Sequence, residues 1–331
     1  MKLPKLFKQC ISAFMVILAL NTSCSKKSVT ISKNGDADNR FKIIGYLPNR
    51  TDLLASAKQI DFGKITHLYI AFINPDSLGN LTRTENLKEV AALAHAKNVK
   101  IMASIGGGGA PEYYPSFLIG EKKTKLINDL VNLAVNNNLD GIDVDLEGAL
   151  IDANYESFVV DFAAALKQKN KLITAAIATV YKSQFTDKAL AQFDFVNIMS
   201  YDRTGPWRPD KPGPHAPYSM AEEDLQYWLE TRKIPKEKLT LGVPFYGYGF
   251  GGTAPESMSY KNILRQFPDS INQDQMHLNG GMVYYNGLPT IRKKTELAKL
   301  KVSGVMIWQL LQDSTGVKSL LGGIDGVVKG K

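Results

Sequence analysis

Apolar and acidic residues alternate strictly along residues 141–147. The acidic positions are Asp143, Asp145 and Glu147, and branched apolar residues fill the positions between them. A period of two is typical of a β-strand, here with one apolar face and one face on which neighbouring carboxylates lie about 7 Å apart. Three carboxylates this close cannot all remain ionised in a buried environment. The alternation therefore predicts a strand whose acidic face has unusual chemistry if the strand is internal.

Short apolar runs recur along the chain, with helical patterns between them. Together with the acidic strand, the runs cover residues 41–47, 65–73, 99–105, 139–146, 172–178, 193–200, 239–245 and 302–308. The helical patterns cover residues 86–97, 123–136, 155–169, 219–232 and 290–301. Within the fourth of these patterns, Ser219-Met220-Ala221-Glu222 has the form of a capping box. Strands that alternate with helices pair in parallel through right-handed crossovers, and eight such units predict an α/β fold, the (β/α)8 TIM barrel.

A doubly wound open sheet is the alternative architecture. Such a sheet usually carries a Gly-rich phosphate turn after its first strand, and Gly-Tyr-Leu-Pro at residues 45–48 is no such turn. The one long irregular connection, residues 250–289, contains Gly-Gly and Asn-Gly turns. We interpret it as a modest insertion between the seventh and eighth strands of a single barrel domain, residues 41–331.

In this barrel the odd-numbered residues of the acidic strand point inward, and Glu147 lies at the carboxyl end, where barrels place their active sites. Barrel interiors are normally filled by branched apolar side chains, so inward acids are costly unless they share protons or accept hydrogen bonds. We expect a raised pKa for Glu147, which makes it a candidate general acid near neutral pH. Asp145 is close enough to share a proton with Asp143 or Glu147. Stacked acids of this kind suit the cleavage of glycosidic bonds.

Five segments, in order along the chain, resemble motifs of glycoside hydrolase family 18, the chitinases and their relatives. Asp140-x-x-Asp143-x-Asp145-x-Glu147 is similar to the acidic signature of that family. Segments similar to its third-, sixth-, seventh- and eighth-strand motifs lie at residues 103–107, 199–202, 242–247 and 304–308. The resemblance implies a barrel enzyme that hydrolyses chitin or chito-oligosaccharides, which are β-1,4-linked N-acetylglucosamine glycans.

The resemblance also implies substrate-assisted hydrolysis with retention, without a cofactor or a metal. Glu147 would protonate the leaving oxygen, and the 2-acetamido group of the sugar would attack the anomeric carbon. Asp145 would hold the acetamide N–H, Tyr201 would bind the acetamide oxygen, and Asp143 would exchange a proton with Asp145. The residues expected to bind the sugar are Trp308, Met199, Asp202, Tyr46, Phe72, Tyr246, Gly106 and Trp207.

Several of these residues have a second interpretation. Asp140 does not share the parity of the other acids, which favours a structural role. Met199 and Phe72 also suit barrel packing, and Trp207 suits a loop anchor as well as the leaving-group side of the cleft. His215, in the loop after the sixth strand, lies in a segment similar to the corresponding loop of the family.

Two departures from the family pattern bear on the substrate. Gly108 and Gly109 follow Gly107 where many chitinases carry a tryptophan, and Tyr248 stands where many relatives have arginine. The missing tryptophan and the short 250–289 connection predict a shallower groove for soluble or short chains, and Tyr248 puts one polar contact with the sugar in doubt. The alternatives are an endo-β-N-acetylglucosaminidase acting on N-glycans and a non-catalytic, lectin-like protein that binds chitin oligosaccharides. The form of residues 199–202 favours the chitinase branch over the first, and the intact Glu147 argues against the second.

The N-terminal sequence predicts export, and the charge distribution predicts no nucleic-acid partner. The 331 residues are 44% hydrophobic and 22% charged, as in a soluble globular protein, with a net charge of +8. The basic clusters lack interleaved aromatic residues, so we expect solvated surfaces and not a nucleic-acid interface. We also expect a monomer. Residues 1–23 have the lysines and short apolar core of a signal peptide.

The end of that apolar run resembles a bacterial lipobox, in which Cys24 would be acylated. Cys10 is the only other cysteine and lies in the segment to be removed. Residues 24–40 would then form a flexible, lipidated tether that anchors the barrel to a membrane of the cell envelope. An ordinary secreted protein with an incidental cysteine is the alternative.

Overall fold

Short apolar strands alternate with amphipathic helices along the chain. The computed structural model describes residues 40–50 and 52–331. In chain order the strands are β1 (Lys42–Pro48), β2 (His67–Ala71), β3 (Lys100–Gly106), β4 (Gly141–Asp145), β5 (Leu172–Ile177), β6 (Phe195–Ile198), β7 (Leu239–Pro244), β8 (Tyr246–Phe250), β9 (Ser257–Ser259), β10 (Gln275–Leu278), β11 (Gly281–Tyr284) and β12 (Gly304–Trp308). The α-helices are α1 (Leu53–Ala57), α2 (Leu87–His95), α3 (Gly120–Asn136), α4 (Tyr155–Lys167), α5 (Asp187–Gln192), α6 (Tyr218–Gln226), α7 (Tyr260–Gln266), α8 (Leu288–Lys301) and α9 (Leu320–Val328).

Eight of these strands close into a parallel barrel. The order around the barrel is β1, β12, β7, β6, β5, β4, β3 and β2, so β12 returns to pair with β1. Each apolar run that was predicted as a strand forms one of the eight, and the (β/α)8 barrel is confirmed. The open doubly wound sheet is wrong because the sheet has no free edge at β1.

Two apolar layers follow from the alternation within each strand. The outer layer lies between the strands and the helices, and it buries Ile142, Val144 and Leu146. The inner layer lies inside the barrel and includes Tyr46, Tyr69, Met102, Phe195 and Met306. Full burial of one such side chain contributes about 1.5–3 kcal/mol. Since the even positions of β4 face the helices, its odd positions, the acids, face the interior as predicted.

The connection between β7 and β12 is more ordered than the sequence predicted. It forms a four-stranded antiparallel sheet in the order β10, β11, β8 and β9, with α7 following β9. The expectation of an irregular segment over 250–289 is wrong, because this segment contains β9, α7, β10 and β11. The sheet also begins earlier than expected, since β8 starts at Tyr246, shortly after β7. Gly252 and Gly280 have positive φ angles of 55° and 76°, which suits the turns next to these strands. The insertion remains within one compact unit, Arg40–Lys331.

Helix α6 begins differently from the prediction. Its first residue is Tyr218, after Pro217, and no side chain caps it by a hydrogen bond, so the capping box at Ser219 is wrong. Pro217 is the N-cap residue and keeps an extended backbone with a ψ of 159°, so the helix begins at the residue after it. The predicted signal peptide, Cys24 and nearly all of the tether lie outside the described residues. Within residues 40–50 and 52–331, no helix has the length and apolar character needed to cross a membrane.

Candidate active site

Asp143 lies at the floor of the barrel interior and accepts three hydrogen bonds from hydroxyl groups. Ser104 and Thr174 occupy the register positions opposite it on β3 and β5, so the three side chains share one layer. Ser104 Oγ and Tyr46 OH donate to Oδ2 and Thr174 Oγ1 donates to Oδ1, each at 2.7 Å. Burial raises the pKa of Asp143, and the three hydrogen bonds oppose that rise. Thr174 Oγ1 gives its one proton to Asp143, so the Tyr69 hydroxyl, 3.1 Å from Thr174 Oγ1, is the donor to Thr174.

Asp145 ends β4 one step higher and lines a cavity of 280 Å³. Its side chain is 4% exposed, and its Oδ1 has no hydrogen-bond partner among the described residues. Burial raises the pKa of Asp145 well above its usual value, and the charges of Glu147 and Asp143 raise it further. A buried acceptor without a donor costs about 1–3 kcal/mol. The carboxyl group is thus set to hold a proton or to accept a donor that a ligand brings.

Glu147 follows β4 and lines the same cavity. Burial raises its pKa to about 7, and the negative charge of Asp202 adds to the rise. A carboxyl group with this pKa holds its proton near neutral pH and can also release it. This is the property required of a group that acts first as an acid and then as a base.

Aromatic rings form one side of the cavity. Trp308, at the end of β12, stacks on Phe72 with ring centroids 5.6 Å apart, and the edge of Tyr46 meets Trp308 at 5.5 Å. Met199 and Tyr201 line the same cavity. The Tyr201 hydroxyl donates only a weak, 3.6 Å hydrogen bond to Met306 Sδ. An apolar platform facing hydroxyl and carboxyl groups suits a sugar ring, which has one apolar face and polar edges.

Asp202 completes the cavity from the loop after β6. Its Oδ1 accepts a 2.5 Å hydrogen bond from Tyr246 OH and lies 3.1 Å from His215 Nδ1. The backbone of Asp202 has a φ of 61°, a left-handed conformation that is uncommon outside glycine. Tyr246 therefore acts on the cavity through Asp202, and the buried His215 belongs to the same network.

The family profile of the glycosyl hydrolases family 18 matches residues 42–313. The chain belongs to this family. The solved chitinase ChiB from the chitin utilization locus of Flavobacterium johnsoniae is 38% identical, with a TM-score of 0.79, over 87% of this chain and 94% of that one. A chitinase from Bacteroides thetaiotaomicron is 29% identical, with a TM-score of 0.74, over 87% and 96%. A chitinase-like effector of Moniliophthora roreri is 28% identical over 58% of this chain and 55% of its own length.

Besides Asp143 and Tyr246, three predicted residues of this family 18 barrel lie elsewhere than in the cavity wall. Trp207 is 57% exposed and meets the edge of Tyr248 at 5.3 Å, on the loop after β6. Asp140, at the opposite end of β4, lies 2.8 Å from His95 Nε2 and accepts a hydrogen bond from the Ile101 N–H. These contacts tie β4 to α2 and β3.

Gly106 is the third, and its backbone explains why it is glycine. Its φ is 95°, and a Cβ there would lie 2.1 Å from the carbonyl oxygen of Asp145. Gly106 lines a second cavity of 550 Å³ that shares Phe72, Gly109 and Trp308 with the first. The shared residues make the two cavities direct neighbours.

Sequence reasoning missed the hydroxyl donors of Asp143. Ser104 lies inside a recognised motif, whereas Thr174 and Tyr69 carried no signal beyond lying in apolar runs. It also missed Ala176, and it noted Gly108 and Gly109 only as departures, although all three line the cavity. Within residues 40–50 and 52–331, no three His, Cys, Asp or Glu side chains are arranged to hold a metal ion.

Proposed function

We propose that this chain hydrolyses β-1,4-linked N-acetylglucosamine in chitin or chito-oligosaccharides, with the acetamide of the substrate as nucleophile. The observation that carries the proposal is the buried Oδ1 of Asp145, which has no hydrogen-bond partner within residues 40–50 and 52–331 and which faces an aromatic-lined cavity shared with Glu147. An acetamide N–H is the donor that would satisfy this oxygen. The two solved relatives named as chitinases support the substrate class.

The first chemical step breaks the glycosidic bond. Glu147 gives its proton to the glycosidic oxygen while the acetamide oxygen of the same sugar attacks the anomeric carbon. The bond to the leaving sugar breaks, that sugar departs with the proton, and a cyclic oxazolinium remains. Asp145 passes its own proton to Asp143, accepts the acetamide N–H as a carboxylate and balances the positive charge that develops. Tyr201, with its hydroxyl held only weakly by Met306, is the donor for the acetamide oxygen.

The second step restores the enzyme. Glu147, now ionised, takes a proton from a water molecule as the water oxygen bonds to the anomeric carbon. The bond from that carbon to the acetamide oxygen breaks, and the sugar is released with its original configuration. Glu147 ends protonated, as it began. Two displacements at one carbon give retention, in line with the family-type mechanism.

The open wall at Gly108 and Gly109 bears on the length and state of the substrate. Both glycines line the cavity, and a Cβ added at Gly109 would meet nothing within 4 Å. Neither position contributes an aromatic ring to this part of the cleft. We infer a preference for soluble or short chains, and faster hydrolysis of crystalline chitin than of chito-oligosaccharides would contradict it.

A substrate panel tests the proposed function. The full chain and Glu147→Gln are incubated with chito-oligosaccharides, chitin, peptidoglycan and N-glycopeptides, and products are sized by mass spectrometry. We expect shortened chito-oligosaccharides with the parent chain and intact ones with the variant. Release of N-glycans alone would favour the endo-β-N-acetylglucosaminidase, and tight binding without cleavage would favour a lectin-like protein.

We also propose that the chain is exported and anchored through an acylated Cys24, in the cell envelope and as a monomer. The lysine-rich start, the apolar run and the lipobox-like end support this. Metabolic labelling with an alkyne fatty acid should mark the parent chain but not Cys24→Ser. Equal labelling of both would contradict it.

A further inference from the structure

A buried lysine lies outside the catalytic cavity and takes no part in the steps above. Lys294, on α8, is 0% exposed. Its Nζ donates to the carbonyl oxygen of Ala216 at 2.8 Å and to Asn286 Oδ1 at 2.9 Å. Burial lowers the pKa of Lys294 to about 7. Because a buried cation is costly, an apolar side chain would pack α8 at a lower cost, and the lysine needs another reason.

The carbonyl group of Ala216 joins three parts of the fold. Besides Lys294, it accepts a hydrogen bond from Asn286 Nδ2 at 3.0 Å. Ala216 belongs to the loop between β6 and α6, whereas Asn286 follows β11 of the inserted sheet. The loop is thus held at one point by α8 and by the insertion together.

His215, the residue before Ala216, links this anchored loop to Asp202 in the cavity wall. Its Nδ1 lies 3.1 Å from Asp202 Oδ1 and its Nε2 lies 3.2 Å from the carbonyl oxygen of Tyr246. The backbone of the same residue accepts a hydrogen bond from the Arg203 N–H. The imidazole is buried and fixed on both sides, so its position depends on where the loop is held.

Asp202 connects the imidazole to the catalytic group. Its carboxylate is shared by His215 and Tyr246, it lines the cavity, and its charge contributes to the raised pKa of Glu147. A continuous set of contacts therefore runs from Lys294 to the environment of the general acid.

We propose that Lys294 is a positioning residue: by holding Ala216 and His215 in place, it fixes the Asp202 carboxylate beside Glu147. The inference rests on the proposed function, since it takes Glu147 as the group that transfers the proton. The charged groups that face Lys294 are Asp274 of the insertion, Asp224 of α6 and Arg203 of the loop. The ionisable groups that interact with Glu147 are Asp202, Asp145, Tyr181 and Tyr201.

Lys294→Met in the full chain tests the positioning role, because methionine keeps an unbranched apolar stem but cannot hold the Ala216 carbonyl. Without the anchor Asp202 moves away from Glu147, the pKa of Glu147 falls, and the alkaline limb of kcat shifts to lower pH. The displaced site should also lower kcat by about tenfold to a hundredfold. Loss of the positive charge of Lys294 alone would raise the pKa of Glu147 and shift the alkaline limb of kcat to higher pH. The direction of the shift therefore separates positioning from a direct charge effect.

Lys299→Met is the matched control. Lys299 lies on the same helix and donates to the carbonyl oxygen of Val327 at 2.7 Å, on the side of α9. We expect its pH profile to match that of the parent chain. His215→Ala should shift the alkaline limb as Lys294→Met does, and the double variant should add little, because both changes release the same carboxylate.

Two further measurements keep the test decisive. If Lys294→Met does not fold, Asn286→Ala keeps the lysine but removes the second donor to Ala216, and should give a smaller shift of the same sign. A ¹³C NMR titration of the Glu147 carboxyl, assigned with Glu147→Gln, reports the same change without turnover. If the proposed function is wrong, the parent chain itself will not hydrolyse chito-oligosaccharides, a result that does not depend on the Lys294 variants. An unchanged or upward shift in a folded variant, or fully additive effects with His215→Ala, would overturn the positioning role.

Discussion

The two aspartates of β4 face the same interior, yet their hydrogen bonding is opposite. Asp143, at the floor, accepts three hydroxyl hydrogen bonds, each at 2.7 Å. Asp145, at the mouth, keeps Oδ1 without a donor among the residues that the structure describes. Buried polar groups are nearly always paired, so the exception calls for an explanation. In the proposed function the open oxygen of Asp145 takes the donor of the ligand, whereas the paired Asp143 acts only through proton exchange with Asp145.

Replacing the acid at the mouth should have the largest effect on activity. Glu147→Gln keeps the shape of the side chain but removes its transferable proton, so kcat should fall by about 10²–10⁴-fold. Turnover of chitotetraose measures the loss, and calorimetry should show that the oligosaccharide still binds. Glu121→Gln, an exposed change on α3, is the control and should be neutral. Turnover near that of the parent chain would remove Glu147 from its role.

Asp145→Asn should come next and sharpen the contrast with the floor. An amide cannot balance the developing charge of the acetamide, and we expect a loss of about 10²–10³-fold in kcat, as for other electrostatic stabilisers. Asp143→Asn should instead reduce stability by about 2 kcal/mol, since three hydroxyls lose a charged acceptor. Urea unfolding and kcat are measured on both variants. A larger loss of kcat for Asp143→Asn than for Asp145→Asn would break the comparison.

The raised pKa of Glu147 predicts a pH-dependent stability difference. The folded-state pKa of about 7 lies above the ordinary value of 4.5, so burial of Glu147 destabilises the fold progressively as pH rises from 4.5 through 7. Glu147→Gln should match the parent chain at pH 4 and exceed its free energy of unfolding by about 3 kcal/mol at pH 8. The kcat of the parent chain should fall over the same upper range. Equal stabilities at pH 8, measured by urea unfolding, would contradict the raised pKa.

The smallest effect is expected at the other end of β4. Asp140→Asn weakens the contacts to His95 and to the Ile101 N–H and should reduce stability by about 1 kcal/mol. Because Asp140 lies away from the cavity, kcat should stay within about twofold of the parent value. Thermal unfolding and chitotetraose turnover check the two parts. A large loss of kcat with unchanged stability would make Asp140 a functional residue.

The strands and the direction of their side chains could be predicted because both depend on local periodicity. The alternation at residues 141–147 places the acids inside the barrel whichever strands lie beside β4. The barrel itself followed from alternating strand and helix patterns, which are also local. These features need no knowledge of distant contacts.

The donors to Asp143 could not be predicted because they depend on register between strands. Ser104 and Thr174 are opposite Asp143 only through the pairing of β3, β4 and β5, and a shift by one residue would turn their hydroxyls outward. The positions of Asp202 and His215 depend on a loop and on the inserted sheet. No pattern within either segment fixes them.

The errors have local causes as well. The inserted sheet consists of strands of only three to five residues, which are too short to carry a clear periodic signal. The capping box at Ser219 matched in composition, but Pro217 starts the helix earlier. Trp207 was expected near the leaving group. It lies on an exposed loop and contacts Tyr248, and its role toward the leaving group stays a prediction.

The anomeric form of the first product tests the central claim most directly. Proton NMR, recorded within the first minutes of chitotetraose hydrolysis, separates the β-anomer from the α-anomer before they equilibrate. Attack by the acetamide held at Asp145 predicts that the new reducing end appears first as the β-anomer. An initial α-anomer would mean a single displacement by water and would contradict the account.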